Sequence, residues 1–273
     1  MDNRTVALRV GTFNVHGWCD ANGRKRVDDV IALLRELACD VLILNEVVSP
    51  EHVLARVART LGLVPTFADA GWGGNALLTR AAPSAVETVL LDAGGHLRSA
   101  LIATVDTPVG PVDVAATHLD HTLEERRLAQ LAQLLDALAN RSPRVILAGD
   151  LNAMRLTDLD PAAAACVRRH RDREGWEPAR GDVVAALDRH GYVDAVRLAL
   201  AGSLADYRAA LASPIAKAHA VTSRVDTRID YVWLSAPLAT AVEGVRAVTR
   251  RTDVSDHHPV VVELRANMDV NES

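Results

Sequence analysis

Short apolar runs recur along this chain, and the spacing of the polar residues between them separates strands from helices. Residues 6–15 are mostly apolar and end in Phe13, Asn14 and Val15, which predicts a strand. The next segment sets Val27, Val30, Ile31, Leu34, Leu37 and Ala38 at helical spacing, with Asp28, Asp29, Arg35 and Glu36 on the other face. Residues 40–47 then form a near-continuous apolar run of strand length, as expected for a strand covered on both faces. Strand, helix, strand is the opening unit.

Helical patterning returns over 51–61, after which short apolar runs at 75–79, 85–91, 97–105 and 112–117 alternate with turn residues and suggest antiparallel pairing. Thr122 and Glu125 have capping-box spacing ahead of a helix striped by Leu128, Leu131, Leu135 and Leu138, with Asn140 and Pro143 ending it. Residues 144–149 read as a strand delivering Asp150. Residues 161–211 read as helical pieces separated by Gly175, Gly181, Gly191 and Gly202, and strand character resumes at 228–234, 241–249 and 259–264. Long helices mixed with parallel-type and hairpin-type strands predict two packed sheets with helices outside, a layered α/β sandwich.

At 273 residues and 49% hydrophobic, the chain can bury a sizeable core, and the chemistry-bearing residues run from Asn14 to His258 without a linker between them. This predicts a single domain over 1–266, followed by a polar, frayed tail at 267–273. Net charge is −5, which argues against a dedicated nucleic-acid binder with a broad basic face, although a local patch could still grip phosphate. Of the basic residues, only Lys25 and Lys217 are lysines. Cys19, Cys39 and Cys166 show no C-x-x-C spacing, so neither a disulfide framework nor a zinc cluster is suggested. With no apolar leader and no membrane-length run, the expectation is a soluble, cytoplasmic protein.

Six segments place a carboxylate, amide or imidazole beside an apolar run: Phe13-Asn14-Val15, Leu44-Asn45-Glu46-Val47, Thr117-His118-Leu119, Gly149-Asp150-Leu151-Asn152, Arg228-Ile229-Asp230-Tyr231 and Ser255-Asp256-His257-His258-Pro259. Strand ends converging on one rim are the economical explanation. A rim holding Glu46, Asp150, Asp230 and Asp256 would be strongly electronegative, and a divalent cation is the natural way to keep such carboxylates ionised at close range. Asp150 and Asn152 lie two apart, which on an extended backbone turns both toward one face.

In this order, the six segments resemble the endonuclease/exonuclease/phosphatase superfamily of metal-dependent phosphoesterases, with the DNase-I-like fold. The resemblance covers nearly the whole chain and implies a four-layer α/β/β/α sandwich. It implies Glu46 and Asp256 as metal-binding carboxylates, with Asn14 supporting the metal site, and Mg²⁺ or Mn²⁺ as the cofactor. Asp150 would position or deprotonate the attacking water and Asn152 would orient it or the phosphate. Asp230 and His257 resemble the family's carboxylate–imidazole pair, and His118 would take the second imidazole position beside the phosphate. Arg80, Arg98 and Asn75 are candidates for substrate contact, and the loop from Gly71 to Asn75 could let a backbone or the Trp72 indole approach a substrate. The run from Arg168 to Arg173 reads as a solvated helix face or as the lip of a site for acidic substrates.

Two departures stand out: Asn45 replaces the family's usual Gln before the metal-binding Glu, and His16 stands where some nucleases of the superfamily carry Asp. The reading that follows is hydrolysis of a phosphate ester, diester or monoester, by direct water attack. The acidic balance and 3% aromatic content favour a small or non-polymeric substrate over DNA or RNA, with a nuclease as the alternative. A catalytically inactive binding module on the same fold is the rival of another class; its hallmark would be a missing ligand, base or histidine. A serine or cysteine hydrolase is disfavoured because no G-x-S-x-G elbow is present.

Overall fold

The computed structural model describes residues 5–69, 73–215 and 221–267. Gly71, Trp72 and the tail from 268 lie outside the described residues. The elements in chain order are β1 (Thr5–Asn14), α1 (Val27–Leu37), β2 (Val41–Val47), α2 (Ala55–Leu61), β3 (Val64–Ala68), β4 (Gly74–Thr79), β5 (Ala85–Leu91), β6 (Arg98–Thr107), β7 (Gly110–His118), α3 (Glu124–Leu138), β8 (Val145–Asp150), α4 (Pro161–Glu174), α5 (Asp182–Arg189), β9 (Tyr192–Asp194), α6 (Ala195–Ala201), α7 (Leu204–Ala210), β10 (Asp230–Ser235), α8 (Ala236–Ala241), β11 (Gly244–Thr249) and β12 (Val260–Asn267).

Two six-stranded sheets share one plan. The first runs β11-β12-β1-β2-β4-β3 and the second β5-β6-β7-β8-β10-β9. Each has a parallel pair at its centre, β1 with β2 and β7 with β8, joined through α1 and α3 respectively. All other neighbours are antiparallel. Strand alternation sorts the side chains into layers. Val41 and Ile43 of β2 turn into the core between the sheets with Leu101, Val114 and Ile146, while Leu42 and Leu44 turn outward against Ile31 and Leu34 of α1. On the other side, Leu131 and Leu134 of α3 and Leu187 of α5 cover Ile102, Leu147 and Trp233. Helices, sheet, sheet, helices is the four-layer sandwich expected from the sequence. Val196 and Leu198 of α6 join the inter-sheet core and close its edge against β11.

Several local expectations are corrected. The Thr122 to Glu125 capping box does not form: Glu125 is exposed, Thr122 donates its hydroxyl to Asp120 at 2.7 Å, and the Glu124 N–H at the helix start is taken by the Glu177 carboxylate. A distant residue thus supplies the cap that sequence spacing assigned locally. Edge strand β3 carries Pro65 and little apolar patterning, which hides it from a periodicity reading and is tolerated only at an edge. The strand expected from Ala241 begins at Gly244, because Pro237 in the first turn of α8 turns residues 236–241 into a helix. Asn267, expected to be frayed, is paired with Thr5. Among the described residues, no helix is long and apolar enough to cross a membrane.

β7 and β8 pair closely at the end of the second sheet that carries the site, and a glycine permits it. Gly149, at φ +142°, sits where a Cβ would lie 1.9 Å from the Thr117 carbonyl oxygen on β7. Gly149→Ala forces backbone apart from backbone at the point where Asp150 is delivered. We expect it to cost about 3 kcal/mol or more in chemical denaturation; an alanine variant as stable as the parent would contradict this packing.

Candidate active site

The parallel strands end at the same rim, and each ends on a polar residue. Asn14 closes β1, Glu46 lies near the end of β2, His118 closes β7 and Asp150 closes β8. Asp230 opens β10 directly opposite Asp150 in the antiparallel register, and His118 pairs with Asp150 in the parallel one. Residues 253–256 bend ahead of β12, with Ser255 Oγ donating to the Asn14 carbonyl at 2.8 Å and accepting from the His257 N–H at 3.2 Å. That bend is what allows adjacent Asp256 and His257 to share one site.

Asn45 ties the two sheets beneath this rim. Its Nδ2 donates to Asn75 Oδ1 at 2.7 Å and to the Thr117 carbonyl at 3.0 Å, and its Oδ1 accepts from the Asp150 N–H at 2.9 Å. The amide that departs from the family pattern therefore reaches the second sheet in full. The register of β2 against β4 shifts between Leu44 and Val47, and Glu46 takes φ +54°, so the chain turns left-handed there. Gly73 accommodates that turn: a Cβ on it would lie 2.9 Å from the Glu46 backbone.

Asn14 Nδ2 donates to Glu46 Oε1 at 2.9 Å and to Asp150 Oδ2 at 3.0 Å, linking two carboxylates from opposite sheets. Its Oδ1 accepts from the His16 N–H at 2.9 Å. Asn14 therefore reaches the rim as a donor that holds the Glu46 and Asp150 carboxylates. Asp150 Oδ2 lies 3.6 Å from both His118 Nε2 and His257 Nε2, and His257 Nδ1 bonds Asp230 Oδ2 at 2.8 Å. Asn152 Nδ2 donates to His118 Nε2 at 3.0 Å, while its N–H closes a turn onto Asp150 Oδ1 at 2.9 Å. Asn152 has φ +48°, so it shares the site with Asp150 through a turn and not through the strand alternation expected.

Burial and charge set the protonation states. Burial disfavours ionised Glu46, but the hydrogen bond with His16, the nearby imidazoles and Asn14 hold its pKa down to about 2. Burial, with the Arg98 charge nearby, pushes His118 down to about 3 and keeps it neutral. Burial also acts against a charged His257, yet Asp230 and Asp150 overcome it and hold the imidazole well above its ordinary range. Asp150 is pushed up by burial and by the charge of Asp230. A neutral His118 accepting from Asn152 is placed to orient that amide.

Glu46, His118, Asp150, Asn152, Asp256 and His257 line one cavity of about 650 Å³, with Asp230 behind His257. Arg98 lines it too, its Nη2 3.2 Å from His121 Nδ1. Arg80 does not. It follows the far end of β4, since Thr79 pairs with Val41, and it binds Asp40 at 2.5 Å on the opposite rim. Asn75 is fully buried under the cavity floor, its Nδ2 given to the Ser99 carbonyl at 2.8 Å, so it serves the sheet junction and not a substrate. His96, Asp120 and His121 line the cavity without having been singled out from sequence. For Asp120 and His121 the signal was the Asp120-His121-Thr122 turn following β7, where Asp120 Oδ1 accepts from the N–H groups of Thr122 and Leu123.

The donors fit a hard divalent cation. Ligand atoms of Glu46, His118 and Asp150 lie within 4.8 Å of one another, as do those of Asp150, Asp230 and His257. Asp256 Oδ1 is buried without a hydrogen bond and lies 3.4 Å from His16 Nδ1, which is 3.5 Å from Glu46 Oε2. Carboxylate oxygens are the ligands that hard divalent cations take.

Two mixed sheets between helices, with polar strand ends meeting at one rim, define a protein of the DNase-I-like class. The family profile of the Endonuclease/Exonuclease/phosphatase family matches residues 11–257, and the chain belongs to that family. No curated protein matches its sequence. Among solved structures it is similar to an endonuclease/exonuclease/phosphatase from Beutenbergia cavernae DSM 12333 (24% identity, TM-score 0.66, covering 96% of this chain and 72% of that one). It is similar also to the human Nocturnin catalytic domain with bound sulfate anion (18%, 0.67, 96% and 97%) and to an AP endonuclease from Archaeoglobus fulgidus (19%, 0.64, 93% and 98%). At these identities the likeness is one of fold.

Behind Asp230 lies a buried ionic network. Arg228 donates to Asp158 Oδ2 at 2.8 Å and to Asp194 Oδ2 at 2.6 Å, and Arg197 also binds Asp158. It fixes the chain two residues before Asp230. Burial would raise Asp194, but the charge and hydrogen bonds of Arg228 hold its pKa below the usual carboxylate range. A lowered folded pKa stabilises above the unfolded value of about 4 and is lost as pH falls through the folded one. Arg228→Met should therefore cost about 3–5 kcal/mol at pH 7 in urea denaturation, with the gap to the parent narrowing toward pH 3. An equal gap at both pH values would contradict this assignment.

Proposed function

We propose that this chain is a divalent-metal-dependent phosphoesterase that hydrolyses a small phosphate ester by direct attack of water. The observation that carries the reading is the meeting in one cavity of side chains drawn from positions 46 to 257, each at the end of a buried strand or in the turn beside one. Glu46 and Asp256 would hold Mg²⁺ or Mn²⁺, with Asn14 fixing the Glu46 carboxylate. Bound there, the ion supplies charge stabilisation to the phosphoryl oxygens.

The remaining roles follow from the protein's own groups. Asp150, raised toward neutrality, accepts a proton from the attacking water at a carboxylate oxygen. His257, kept charged by Asp230, donates from Nε2 to a phosphoryl or leaving oxygen. His118 holds the Asn152 amide, which orients the phosphate. Arg98 adds a guanidinium to the same cavity. No covalent intermediate is needed.

A cavity of about 650 Å³ is the size of small-molecule sites and supports a small or non-polymeric ester over a nucleic-acid duplex. The experiment is a panel of bis-aryl and mono-aryl phosphates, phospholipids and plasmid DNA, assayed with Mg²⁺ or Mn²⁺ and again with EDTA. Turnover of an aryl ester that EDTA abolishes is expected. Asp150→Ala and His257→Ala should each lower kcat by about 10²–10⁴ with the thermal transition preserved. Near-native turnover in either variant, or activity indifferent to EDTA, would overturn the reading; efficient plasmid cleavage alone would move the substrate to nucleic acid.

A further inference from the structure

A smaller chamber of about 130 Å³ adjoins the catalytic cavity, and Asn152 and His257 line both. A group esterified to a phosphate held by those two residues has a direct path into it. The far wall is built by α4 and the residues after it. Val167 is buried on the inner face of α4, and Trp176 stands just past Gly175, the left-handed cap of that helix. Met154, Val225 and Ile229 extend this apolar wall, and Ser223, Arg224, Thr227 and Asp256 line the polar remainder of the chamber.

The indole is held in place from several sides. The His121 ring meets it edge-on at 5.5 Å and 74°, the His170 ring at 5.4 Å and 88°, and the Arg171 guanidinium lies 5.6 Å from its centroid. Arg171 is itself buried and anchored by its Nε to the Glu177 carbonyl at 2.5 Å. Wall positions fixed in this way make the chamber a preformed shape, which lowers the cost of binding into it.

We propose that this chamber receives a single planar ring carried on the substrate phosphorus and so selects phosphate compounds with a monocyclic aromatic substituent. The proposal rests on the phosphoesterase reading above. Size supports it: a cavity of roughly 150 Å³ takes one benzene, so 130 Å³ admits one ring and not a fused pair. Chemistry supports it as well, since Trp176, Met154, Val167, Val225 and Ile229 give the chamber one apolar wall against which a ring can lie, and aromatic rings pack favourably edge to face.

The test uses non-hydrolysable phosphonates in Mg²⁺, titrated calorimetrically into the 273-residue chain. Phenylphosphonate should bind at least about tenfold more tightly than methylphosphonate, a modest share of what burying one ring supplies. Naphthylphosphonate should gain nothing over phenyl. Val167→Phe, which fills the chamber, should bring phenylphosphonate down to the methylphosphonate level while leaving methylphosphonate unchanged, and Trp176→Ala should weaken the phenyl preference at least about threefold. Equal binding of phenyl- and methylphosphonate, no binding of either, or a phenyl preference that survives both variants would overturn the proposal. Ester turnover without any ring preference would sink this inference alone, whereas absence of metal-dependent turnover on the whole panel would sink the phosphoesterase reading beneath it.

Discussion

Asp150 and Asp230 face each other across paired strands, both buried, and the repulsion between two carboxylates so placed is the constraint to which the rest of the rim responds. Glu46 adds a third negative group within reach of the same donors. The fold offsets this charge with groups that enter from other strands: the Asn14 amide between Glu46 and Asp150, and the His257 imidazole between Asp150 and Asp230. His16 stands between Glu46 and Asp256, its Nδ1 3.5 Å from Glu46 Oε2 and 3.4 Å from Asp256 Oδ1. Strong acidity at Glu46 and charge retention at His257 are consequences of the same arrangement.

Such a rim is costly to bury, and the layered core makes it affordable. Each fully buried Leu or Ile contributes about 1.5–3 kcal/mol, and both faces of β2 and β8 are lined with them. The sheets are then joined by hydrogen bonds where apolar packing stops. Asn45 carries that junction, reaching from β2 to the Thr117 carbonyl and the Asp150 N–H, while within the second sheet Gly149 leaves the space that lets β7 and β8 pair closely beneath Asp150. Fixing Asp150 through its own N–H ties the position of its carboxylate to the packing of both sheets.

The strand–helix–strand opening and the polar strand ends were legible in the sequence because parallel strands buried on both faces leave continuous apolar runs that stop abruptly at Asn14, Glu46 and Asp150. What the sequence could not show depended on contacts between distant segments. Arg80 falls on the wrong rim because β4 runs antiparallel to β2, a fact of register. Asn14 turns its amide nitrogen to the carboxylates because the His16 N–H takes its oxygen. Asn152 reaches the site through a left-handed turn, and the cap of α3 comes from Glu177, 53 residues beyond Glu124. Trp176 and His121 meet only because α4 folds back over the rim.

Diffraction from crystals soaked in Mn²⁺, with anomalous differences used to locate the ion, tests the central claim most directly. The account predicts an anomalous peak within coordination distance of a Glu46 carboxylate oxygen, in the cavity shared by Asp150 and His257. A cavity without such a peak at saturating Mn²⁺, or an ion bound only away from Glu46, would contradict it.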